Sequence, residues 1–149
     1  MAKTTTLLDL EALADESIDE IKEAPEYINP PEGDYTLITK AGTIKSYTND
    51  KDETSQSIQV TLAVVKTLEL VSDREPPVPE ESLFTIRFQG TTDGLGMFKR
   101  ELRKMSGLEK LPAMTLNECF EMLETEMQFN ARISYRKFKD KEYLQLRII

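Results

Sequence analysis

The stretch Ser57–Leu70, Ser-Ile-Gln-Val-Thr-Leu-Ala-Val-Val-Lys-Thr-Leu-Glu-Leu, constrains the fold more than any other part of the chain. Ile58, Val60, Leu62 and Val64 alternate with Gln59, Thr61 and Ala63. Period two in mostly β-branched residues predicts a strand with one face in a core. At Val64-Val65 two apolar residues stand together, and the apolar phase resumes at Leu68 and Leu70. One extra residue at such a slip makes a β-bulge, which bends the strand. The expectation is a long, bent central strand over which a small sheet curls round its core.

The neighbouring segments supply partners for that strand. Tyr35–Thr39 and Gly42–Ser46 read as a first strand or strand pair, interrupted at Ala41-Gly42. The polar stretch Asn49–Ser55 reads as a hairpin loop; counted from Asp50 it has Ser55 and Thr61 where a calcium-binding EF-hand needs Gly and Glu. Pro76-Pro77-Val78-Pro79 makes an extended connection. In Leu83–Gln89, Phe84, Ile86 and Phe88 face one way and Thr85, Arg87 and Gln89 the other. Thr91-Thr92-Asp93-Gly94 supplies an N-cap, and Leu95, Phe98, Leu102 and Met105 mark a helix that stops at Gly107. Thr115-Leu116-Asn117-Glu118 is a capping box for a second helix with Leu116, Cys119, Phe120 and Leu123 on its buried side. Cys119 in that stripe reads as a packed thiol. The chain closes with a hairpin turning at Lys139-Asp140-Lys141. Met127, Phe129, Ala131, Ile133 and Tyr135 face inward on its first arm; Leu144, Leu146 and Ile148 face inward on its second.

Composition narrows the function. The chain has no histidine, which excludes histidine-based acid–base catalysis, histidine-containing triads and histidine-ligated metals. A single cysteine excludes an internal disulfide and a Cys-rich zinc site. Gly90, Gly94 and Gly96 match neither a P-loop nor the dinucleotide fingerprint. We therefore expect a non-catalytic protein with no cofactor and no metal. No apolar run approaches the ~18 residues of a membrane span, and the start lacks a basic-then-apolar signal, so the expected setting is intracellular, without a membrane partner.

Charge divides the 149 residues. Residues 1–26 hold eight carboxylates against two lysines, a net −6 of the total −8. Leu7, Leu10, Ala14, Ile18 and Ile21 recur in this arm at helical spacing, with Thr4, Thr5 or Thr6 available as N-cap. Asn29-Pro30-Pro31-Glu32-Gly33 ends the arm. The expected organisation is an acidic N-terminal arm over 1–29 and one domain over 30–149. Within the latter, 84–110 and 126–149 each carry six bases against three acids.

Five strands with helices between the third and fourth is the order of an OB-fold-like five-stranded barrel, mainly β. An open α+β sheet with both helices on one side competes with it. In the barrel reading the outward face carries Gln59, Thr61, Thr85, Arg87, Gln89, Arg132, Arg136, Tyr143 and Arg147, with Tyr47 and Phe138 as further aromatic surface. Cations that track phosphates beside aromatics that stack on bases are what unpaired nucleic acid requires. Outward arginines on strands also serve to keep sheet edges soluble.

A resemblance adds to this reading. Pro31-Glu32-Gly33-Asp34-Tyr35, Leu83-Phe84-Thr85-Ile86-Arg87-Phe88 and Thr92-Asp93-Gly94-Leu95-Gly96-Met97-Phe98-Lys99-Arg100, with the short helix and hairpin that follow, resemble small bacteriophage-encoded OB-fold proteins of replication and recombination. Single-stranded-DNA-binding proteins are among these. The resemblance covers residues 30–149. It implies non-catalytic coating of single-stranded DNA in the host cytoplasm, with Arg87, Arg132, Arg136, Tyr143 and Arg147 on the matching face. Many such proteins recruit partners through an acidic C-terminal tail; here the acidic segment is N-terminal, and recruitment of replication or recombination proteins would fall to that arm. Two alternatives stay open: a virion structural or assembly protein that self-associates into a homo-oligomer, and an inhibitor whose acidic arm mimics DNA.

Overall fold

The computed structural model describes residues 10–15, 17, 19, 24, 26–72 and 77–149. Its frame is one antiparallel hairpin, β1 (Gly33–Thr48) and β2 (Thr54–Leu70). Three register shifts bend it. The shift between Thr36 and Leu37 leaves Val65 without a partner, at the slip in the apolar alternation. A second leaves Leu68 unpaired, and a third leaves Lys40 unpaired on β1. Lys40 changes which parity faces the core: Tyr35, Leu37 and Thr39 are fully buried before it, whereas Gly42 and Ile44 pair with the buried Val60 and Ile58 after it. The predicted interruption at Ala41-Gly42 is thus a bulge inside one continuous strand. Leu68 leaves the expected apolar phase and is 45% exposed, because it is itself an inserted residue.

The remaining strands are β3 (Leu83–Gln89), β4 (Gln128–Phe138) and β5 (Lys141–Ile148), and the sheet runs β3-β2-β1-β4-β5. β1 serves two neighbours, pairing with β2 along its length and with β4 over Gly33–Ile38. The β4–β5 turn has Lys139 and Asp140 both at positive φ, 48° and 65°, as a two-residue type I′ hairpin requires. Between β3 and β4 lie α2 (Thr92–Ser106) and α3 (Leu116–Leu123). Thr91 caps α2 by accepting from the Gly94 amide at 3.0 Å, and Gly107 ends it at φ 73°. The capping box of Thr115 and Glu118 starts α3.

The helices cover the concave side of the sheet. Phe98, Leu102 and Met105 of α2 are buried, and Phe98 meets Phe88 edge-on at 5.5 Å. Leu95, expected in that stripe, is exposed instead; the buried position one turn before Phe98 belongs to Gly94. A Cβ there would fall 2.0 Å from the Gln89 carbonyl oxygen, so glycine is what lets α2 approach β3. α3 packs on β1, and Thr39 ties the two together: its hydroxyl donates to the Leu123 carbonyl at 2.6 Å and accepts from the Met127 amide. The core comprises Tyr35, Leu37, Val60, Leu62, Phe84, Leu123, Ile133 and their neighbours.

The expected barrel does not close. No ladder joins the outer strands β3 and β5 among the described residues. At Leu83 the outer edge of β3 is already taken, because the Leu83 amide donates to the Glu26 carbonyl and the Ile28 amide donates to the Leu83 carbonyl, both at 2.8 Å. Further along, α2 packs against β3, β4 and β5 and bridges the gap through its side chains. What is observed is a curled, open, five-stranded antiparallel sheet with helices on one side.

Of the N-terminal helix expected over 7–21, the described part is α1 (Leu10–Leu13), in which Leu10 is 73% exposed. Thr4, Thr5, Thr6, Leu7, Ile18 and Ile21 lie outside the described residues. Pro30 is buried, and its carbonyl accepts from the Tyr135 hydroxyl at 2.5 Å. No helix among the described residues is long and apolar enough to cross a membrane.

Candidate functional site

Strand register decides which outward side chains share a surface. On β4 and β5 the directly opposed pairs Arg132–Arg147, Ser134–Gln145, Arg136–Tyr143 and Phe138–Lys141 stand on the outer face, since Ala131 and Ile133 between them are buried. On the other side of the sheet Arg87 of β3 pairs with Gln59 of β2, again outward. The two outer faces meet where β3 and β5 come together beside α2.

A groove of about 570 Å³ runs along this seam. Arg87, Arg132, Tyr143 and Arg147, four of the seven predicted site residues, line it. Arg136 adjoins through its pairing with Tyr143. Phe138 stands exposed near the hairpin turn, with the Lys139 ammonium 5.4 Å from its ring centre. Tyr47 is not part of the groove. It pairs with Ser55 near the tip of the β1–β2 hairpin, on the same face as Arg87 but about 13 Å farther along β2.

α2 adds residues that strand patterns do not reveal: Met97, Arg100 and Glu101 also line the groove. Their spacing places them on one flank of the helix. The signal available in the sequence is the basic polar side of this helix, Lys99, Arg100, Arg103 and Lys104; which of these turns toward the seam depends on how the helix is docked.

The charges are partly paired. Glu69, Asp34, Arg132 and Arg147 form one cross-strand row over β2, β1, β4 and β5. Asp34 accepts two hydrogen bonds from Arg132, at 2.8 and 3.2 Å. These bonds hold the Asp34 carboxyl below its usual range against the opposing effect of burial, and they raise the Arg132 guanidinium above its own. Among the described residues Arg87 and Arg147 have no carboxylate partner. The groove lining carries four arginines and one acid, Glu101.

Among the described residues two other titratable groups are shifted, and both serve packing. Burial, then the nearby Glu118, raises the Cys119 thiol, so it stays protonated in its apolar pocket beside Phe98, Leu111 and Met114. Burial, then Glu142 and Glu32, raises Tyr135, whose hydroxyl is spent on Pro30. No cluster of three or more His, Cys, Asp or Glu side chains placed to hold a metal occurs among the described residues.

The chain matches no protein-family model, and no curated protein is similar to it.

Proposed function

We propose that this chain is a non-catalytic single-stranded-DNA-binding protein that coats exposed strands during phage replication or recombination. One observation carries the reading: Arg87, Arg100, Arg132 and Arg147 from four different elements converge on one groove beside Tyr143. Guanidinium groups suit the phosphates, and the exposed Tyr143 ring offers a stacking face worth ~1–3 kcal/mol per base. Such contacts are tolerant of sequence, because every nucleotide has a phosphate and a π-face. The strand order, the helices between β3 and β4 and the bulged β1 and β2 support an OB-like plan, opened between β3 and β5. Residues 1–29, with their acidic excess, then serve to recruit protein partners.

The test is a mobility shift with a short oligothymidylate at two salt concentrations. Binding that weakens as salt rises supports the proposal; no binding at low salt, or binding indifferent to salt, contradicts it.

A second reading, self-association as in a virion component, is favoured by one observation. The outer edge of β5 pairs with no strand among the described residues, and Tyr143 and Ile149 are exposed there. Under that reading the mass measured by size exclusion grows with concentration in the absence of DNA.

A further inference from the structure

A second hollow lies on the other flank of α2, away from the groove. Phe98 and Lys99 of α2, residues 110–114 and the start of α3 enclose about 530 Å³, within the range of ligand sites. Its wall is largely apolar: Phe98 and Leu111 are buried, and Met114 and Leu116 are half-buried and reachable. Lys99 and Lys110 also line it, both exposed, and neither makes an ion pair among the described residues. No carboxylate belongs to the lining. Glu118, beside Cys119, spends its Oε1 on the Thr115 amide at 3.2 Å. Apolar walls with two unpaired cations suit an apolar side chain flanked by carboxylates.

The chain itself carries that chemistry. Residues 1–26 hold eight carboxylates against two lysines, with Leu7, Leu10 and Ala14 at helical spacing. Leu10 opens α1 and is 73% exposed, and among the described residues none before Phe98 lines the hollow. We infer that the acidic arm of one copy docks in this hollow on the next copy, seating Leu10 against Met114 and Leu116 and setting the arm's carboxylates beside Lys99 and Lys110. Arm and hollow are different parts of the surface, so the contact is heterologous and repeats head to tail instead of closing on a pair. Rows of copies built this way suit a protein that coats a strand. The contact itself needs no DNA; its use along a strand rests on the single-strand reading above.

The experiment is sedimentation equilibrium of the full chain without DNA, with two variants: Leu10→Asp, which disables the arm, and Lys110→Glu, which turns the charge of the hollow against it. Both positions are exposed, and neither lines the groove. The wild-type mass should rise with concentration. Each variant alone should associate roughly ten-fold more weakly, since a carboxylate set into an apolar site or against like charges is costly. Mixed, the two should form a one-to-one dimer and stop there, because one supplies a working arm and the other a working hollow. Cys119, the chain's single cysteine, lines the hollow and gives a second readout that needs no variant: a synthetic peptide of residues 1–26 should slow its alkylation in the wild type. A wild type that stays monomeric overturns the inference, as does association that persists in both variants, which would point to the edge of β5. A mixture of folded variants that gains nothing over either alone overturns it too. An alkylation rate indifferent to the peptide does the same and decides the matter where a variant folds poorly. A monomer that binds oligothymidylate overturns this inference alone; association by this route without strand binding upholds it and overturns the single-strand reading.

Discussion

Asp34 and Arg132, separated by 98 positions in the sequence, face each other across β1 and β4, with Nε donating to Oδ1 at 2.8 Å and Nη2 to Oδ2 at 3.2 Å. This is the two-pronged geometry that suits a guanidinium to a carboxylate. Arg132 remains 61% exposed, so the pair is screened by solvent and matters more for orientation than for stability. It fixes Arg132 beside Arg147 and withholds part of its charge from a ligand.

Removing that restraint should strengthen the interface. In Asp34→Asn, Arg132 loses its counter-ion, and oligothymidylate binding at low salt is expected to tighten. The plot of log affinity against log salt should steepen by about 0.7, the increment for one more phosphate neutralised by the freed Arg132. Titrations of both proteins over a salt series check this; an unchanged slope means that Arg132 does not meet the strand.

The same pair makes a defined contribution to acid stability. Asp34 titrates lower in the folded chain than the ~3.9 of an unperturbed aspartate, through its hydrogen bonds from Arg132. Its stabilising effect is therefore complete above that value and is lost as pH falls through the lower, folded one. The urea midpoints of the wild type and D34N should differ by a constant amount near neutrality and converge below about pH 4. A gap that widens on acidification contradicts the assignment.

Gly94→Ala sets two effects against each other. Alanine favours a helix interior over glycine by about 1 kcal/mol. At this position, however, the new Cβ meets the Gln89 carbonyl oxygen at 2.0 Å, backbone that cannot swing aside. Overpacking should win, with a net loss of ~1–3 kcal/mol in urea unfolding. A raised midpoint would show that α2 does not dock this closely on β3.

The two exposed tyrosines should separate. Tyr143 lines the groove and Tyr47 stands at the other hairpin. Tyr143→Ala is expected to weaken strand binding by about ten-fold, the loss of one stacked base, and Tyr47→Ala to leave it unchanged. Equal losses would extend the interface along the outer face of β2 to the β1–β2 tip.

Much of this architecture can be read from local pattern. The doubled Val64-Val65 marks the bulge, Thr115 and Glu118 mark a helix start, and Phe84, Ile86 and Phe88 mark an inward face, because each signal is complete within a few residues. Leu68 and Leu95 mislead because apolar periodicity does not record inserted residues or the close approach that Gly94 permits. The open seam is not legible either, since it depends on Glu26–Ile28 occupying the edge of β3 far along the chain. Four groove residues emerge from strand alternation alone, whereas Arg100 and Glu101 require the docking of α2, and the neutralising role of Asp34 requires the β1–β4 register.

The most direct test of the central claim is the salt dependence of strand binding in a double variant, Arg87→Gln with Arg147→Gln. These two arginines lie on opposite banks of the seam and have no carboxylate partners among the described residues. If one strand lies between them, the slope of log affinity against log salt should fall by about 1.4, or 0.7 for each phosphate left without its arginine. A double variant that binds with the wild-type slope and affinity would contradict the account, since the cationic groove would then not be where the strand lies.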